Sequence, residues 1–183
     1  MKLQPRARKA AVVAHVVSSA AWIGLDAAKT ILVFTGIYAG DRGTVALAYQ
    51  ALGTFLGWPL VVASLAALVT GLVLGVGTRW GLVTHWWVAA KLGITLVLVL
   101  MVCFVLAPML PDVAAYGTAL AAGTVPVPET VADLVYPAVV APTALLAATI
   151  LSVVKPWGRI RRSAPPSGDL TQRTAASHIA EPV

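Results

Sequence analysis

The sequence predicts an all-α integral membrane protein, a four-transmembrane-helix bundle with both termini cytoplasmic, and three observations carry that prediction. Apolar residues make up 59% of the 183-residue chain and charged residues 11%, against about 45–50% and about 25% in soluble domains. Four apolar stretches, 10–39, 45–77, 82–110 and 131–154, each exceed the roughly 20 residues that a helix needs to cross the hydrocarbon core. Basic residues gather at the chain ends and in one turn. A mean hydropathy of +0.87 excludes a water-soluble globule, and also a chain disordered throughout, because disorder goes with few apolar residues and high charge. Residues 1–155 form the transmembrane domain, with no room for a soluble catalytic domain beside it.

The first span begins like a signal peptide, with Lys2, Arg6, Arg8 and Lys9 before an apolar run. The run continues past Asp26 and Lys29 to Ala39, too far for a cleaved leader. The second span carries Gly53-x3-Gly57 and then Ala63, Ala67, Gly71 and Gly75 at intervals of four. Small residues at that interval let a neighbouring backbone approach, so Gly53, Gly57, Gly71 and Gly75 mark a face for a second copy or another membrane protein, or simply the common use of Gly and Ala in lipid. Pro59 in the second span and Pro137 and Pro142 in the fourth remove backbone donors and should kink those helices. The third span opens with His85, Trp86 and Trp87 and carries Lys91. The loop after it is long, and 112–123 reads as a short interfacial helix. From 156 to 183 the chain is polar and rich in Pro, Ser and Gly; it reads as a disordered cytoplasmic tail in which His178 is solvated. One cysteine, Cys103, leaves no intrachain disulfide and no cysteine-built zinc site.

With four spans, Lys2, Arg6, Arg8, Lys9, Arg79, Lys155, Arg159, Arg161, Arg162 and Arg173 fall on one side, offset only by Asp169 and Glu181. Asp41, Arg42, Asp112, Glu129 and Asp133 fall on the other. Cytoplasmic loops carry the excess of Lys and Arg, which predicts a multi-pass membrane protein with both termini and the 77–82 turn cytoplasmic. The basic balance then serves orientation and lipid contact, with no nucleic-acid partner implied.

His15, Ser19, Trp22, Asp26 and Lys29 are spaced by 4, 3, 4 and 3 residues. At about 3.6 residues per turn they form one polar stripe, which must face the bundle rather than lipid. Asp26 and Lys29 can form an intramembrane charge pair, which reads either as a functional feature or as a structural pair. His15 and His85 lie roughly 8 and 5 Å below the same boundary at about 1.5 Å per residue, so they can share a layer. Imidazole is an axial ligand for haem iron, and facing helices of a bundle hold cofactors between them. The alternative is a core histidine at 15 and a headgroup histidine at 85.

His15-x6-Trp22 followed by Ile23-Gly24, with Trp87-x3-Lys91 in the third span, resembles a group of small four-helix bacterial membrane proteins. The group includes the copper-resistance-D-like family and the HemJ-type protoporphyrinogen oxidase. The string Gly-x-Arg-Trp-Gly before His-Trp-Trp, here 77–87, is similar to a family of uncharacterised actinobacterial-type integral membrane proteins. The resemblance covers the four spans. It implies a protein of the bacterial inner membrane with haem b as cofactor, His15 as a metal ligand with Trp22 beside it, and Lys91 in contact with a porphyrin carboxylate or a reacting ring; His85, at its similar depth, is the candidate second metal ligand. Where the oxidase continues with Arg and Tyr-His, this chain has Asp26 and Lys29.

Three function classes follow. One is a haem- or porphyrin-binding bundle in membrane redox chemistry; if it is an enzyme, it is a haem-dependent oxidoreductase. A second is an ion, proton or small-solute carrier using Asp26, Lys29 and Lys91. The third is a non-catalytic membrane assembly subunit.

Overall fold

The computed structural model describes residues 4–77, 86–126 and 132–154, all but the connecting segments helical, with no strand among the described residues. Helix α1 spans Pro5–Tyr38, α2 Arg42–Phe55, α3 Gly57–Gly77, α4 Trp86–Met101, α5 Ala107–Ala121 and α6 Ala132–Val154; a five-residue π-helical segment, Val102–Leu106, joins α4 to α5 without a break. Pro5 sits in the first turn of α1, where its missing N–H needs no partner. The chain leaves α1 at Ala39, whose extended backbone still donates to the Thr35 carbonyl at 2.9 Å. Asp41 then caps α2. Its carboxylate accepts the Thr44 N–H at 2.8 Å, and that bond holds its pKa below the ordinary value.

Four helices are long and apolar enough to cross a membrane: Pro5–Tyr38, Gly57–Gly77, the continuous Trp86–Ala121, and Asp133–Val154. Two of them differ from the stretches read from the sequence. The 45–77 stretch, expected as one span, is two helices that part at Leu56. Gly57 and Pro59 explain the break. Pro59 falls in the first turn of α3, where it starts a helix instead of kinking one. The third span does not stop at 110. Residues 112–121, expected as a separate interfacial helix, continue it. At about 1.5 Å per residue the 36-residue run is about 54 Å long, well beyond a hydrocarbon core of about 30 Å. His85, Arg79, Trp80, Glu129, the expected starts at 82 and 131, and the tail with His178 lie outside the described residues.

The surplus length of the third span is used by α2, which packs along α5. The approach is close enough to require glycine. A Cβ on Gly53 would stand 2.3 Å from the Leu110 carbonyl oxygen, and one on Gly117 2.8 Å from the Gln50 nitrogen. Gln50 Nε2 seals the contact by donating to the Gly117 carbonyl at 3.2 Å. Gly53 is thus covered by the chain's own α5, and Gly71 by His15 of α1. Gly53→Ala is expected to lower stability by about 1–3 kcal/mol, the range for overpacking. Gly24→Ala, where a Cβ meets nothing within 4 Å, is expected to be neutral or slightly stabilising. Thermal melts of the two detergent-solubilised variants check this, and equal melting temperatures would refute the backbone contact.

Candidate functional site

The polar stripe of α1 faces inward, with Trp22 2% and Asp26 and Lys29 each 1% exposed. Towards the N-terminal end of the stripe, the half-buried His15 packs against α3. Its Nδ1 lies 3.1 Å from the Ala67 carbonyl oxygen and 3.0 Å from Thr70 Oγ1. A carbonyl only accepts, so Nδ1 carries the proton. Thr70 gives its own proton to the Ala66 carbonyl at 2.6 Å and is left as the second acceptor. In the neutral imidazole Nε2 is then the unprotonated nitrogen, and it has no hydrogen-bond partner among the described residues. Gly71 makes room for the ring, since a Cβ there would come within 3.1 Å of His15 Cε1.

Two cavities of about 300 and about 350 Å³ adjoin the ring and share His15, Ala67, Lys91, Thr95 and Ser152 in their walls. Arg8, Gly75 and Trp87 also line the first, and Ser19 and Trp22 the second. The structure therefore brings His15, Lys91 and Trp22 of the sequence-derived set around one space. His85 lies outside the described residues. Lys91 Nζ donates to Ser152 Oγ at 2.6 Å, and Ser152 donates on to the Ala148 carbonyl. The Trp22 indole N–H is buried and has no partner among the described residues. Thr70, Thr95 and Ser152 were not legible as site residues. Their one signal was that hydroxyls in otherwise apolar spans tend to face the bundle.

Farther along the stripe Lys29 Nζ bonds to Asp26 Oδ1 and donates to the Pro137 carbonyl at 2.8 Å. Next to it Thr30 Oγ1 lies 2.9 Å from the Ala138 carbonyl oxygen. These contacts have a cause in α6. Pro142 has no N–H for the carbonyl four residues back, Ala138, and its ring disturbs the helix there. Thr30 thus meets the carbonyl that Pro142 leaves without a helical donor, the way freed backbone groups are satisfied in lipid, and Lys29 meets the carbonyl next to it. Asp26 Oδ2 is buried and has no partner among the described residues.

Among the described residues no group of three or more His, Cys, Asp or Glu could hold a metal ion. No protein-family model, curated protein or solved structure matches the chain.

Proposed function

We propose that this multi-pass membrane protein binds b-type haem or a related porphyrin in the His15 cavities, for redox chemistry within the membrane. The observation that carries the reading is the His15 ring: Nδ1–H fixed on Ala67 and Thr70, with the Nε2 lone pair free beside an apolar space. A second hydrogen bond that fixes tautomer and orientation is the usual accompaniment of a metal-ligating imidazole. Cavities of about 300 and about 350 Å³ lie within the range of ligand sites, about 300–1,000 Å³. Lys91 and Arg8, both in the cavity wall, are the cations for the porphyrin carboxylates. Trp22 supplies an apolar wall. Bound haem would supply one-electron chemistry; the chain holds it, excludes water and sets the axial ligand. The absorption spectrum of the detergent-purified protein tests this. A Soret band is expected, and a colourless pure protein would leave the carrier and the assembly subunit.

The same reading places both termini in the cytoplasm of a bacterial cell, on the strength of the basic residues at the chain ends. Single cysteines at Asp112, exposed on α5, and at Ser167, introduced into a Cys103→Ala background, are expected to react with an impermeant maleimide from opposite sides, Ser167 from the cytoplasm. Reaction of both from one side would overturn the arrangement.

A further inference from the structure

A separate cavity of about 420 Å³ lies between the third span and α6, with Lys29 of α1 in its wall beside Met101, Val105, Met109, Tyr136 and Pro137. Val105, Tyr136 and Val140, all in its lining, are 55%, 70% and 49% exposed, so the cavity opens on the surface that faces lipid. We propose that this cavity binds the ring of a bilayer-soluble quinone, with the Lys29 ammonium donating to a ring carbonyl.

Four features select that ligand class. Lys29 is 1% exposed and has three donors. Asp26 and the Pro137 carbonyl take two, and the third has no partner among the described residues. A buried donor beside an apolar cavity asks for an acceptor from whatever fills it. The acceptor should be neutral. Asp26 already compensates the ammonium, and Asp133 stands in the same lining, so a carboxylate or phosphate would add an uncompensated charge in a low dielectric. The walls suit a flat ring, because methionine sulfur makes favourable contacts with aromatic systems. Finally, the π-helical segment contributes Val102, Val105 and Leu106 to the lining, and single-turn π-helical insertions occur frequently at functional sites. A mouth on the hydrocarbon admits ligands that partition into it, as quinones do. For its role as electron partner the site rests on the haem reading; as a binding site it rests on its own geometry.

The test is equilibrium binding of decylubiquinone to the full chain in phosphatidylcholine nanodiscs, with palmitate as an anionic competitor. Saturable binding at one site per chain is expected, unaffected by palmitate. Val105→Trp, which fills the mouth, should weaken it roughly tenfold or more, about 1.4 kcal/mol. The Asp26→Asn/Lys29→Met pair, which removes the donor without stranding a charge, should do the same. Unsaturable partitioning, displacement by palmitate, or unchanged binding in Val105→Trp would each overturn the site. The Soret band keeps the two readings apart: quinone binding by a colourless protein defeats only the haem reading, and a coloured protein without saturable quinone binding defeats only this one.

Discussion

His15→Ala is expected to abolish the Soret band of the purified protein, with haem content per chain falling about tenfold or more, because it deletes the imidazole that lines both cavities and is the proposed ligand. Thr70→Val removes one of the two acceptors that hold Nδ1–H, while the Ala67 carbonyl remains. Its effect should therefore be smaller than that of His15→Ala, near the low end of the roughly 10–100-fold losses seen when a ligand's outer hydrogen-bond partner is removed. His178→Ala, in the polar C-terminal stretch, should leave the spectrum unchanged. His85→Ala reports the number of protein ligands: a shift to high-spin iron means that both histidines bind, and an unchanged spectrum means that His15 binds alone. A full Soret band in His15→Ala would overturn the ligand assignment.

The polar face of α1 was legible because periodicity is a local property. His15, Trp22, Asp26 and Lys29 recur at helical spacing, and burial in a bundle is the only stable place for them. What meets that face was not legible, since the partners come from residues about 50 to 110 positions away: Thr70 and Ala67 for His15, Pro137 and Ala138 for Lys29 and Thr30. A single threonine in an apolar span carries no period of its own. The span boundaries failed for a different reason. Hydropathy sees 45–77 as one apolar run, yet α2 turns at Leu56 to lie along α5, a choice made by the glycines at 53 and 117 that permit backbone contact. The same glycines explain why 112–121 stays helical as an extension of the third span: α2 supplies the surface against which it packs.

Asp26→Asn and Lys29→Met are each expected to destabilise the folded protein by about 3–5 kcal/mol, the range for breaking a buried ion pair from one side. Both side chains are 1% exposed and bonded to each other, so either single change leaves the other charge without compensation in a low dielectric. The double variant removes both charges and should recover a large part of the loss. Recovery will not be complete, because Lys29 also donates to the Pro137 carbonyl, and that bond from a charged donor, worth about 1.5–3 kcal/mol, is lost with it. Melting temperatures of the four proteins in one detergent close the cycle, and the expected sign is a double variant more stable than at least one of the singles. Strict additivity is the signature of residues that do not interact. That result would mean that the ammonium is held by the Pro137 carbonyl of α6 rather than by Asp26.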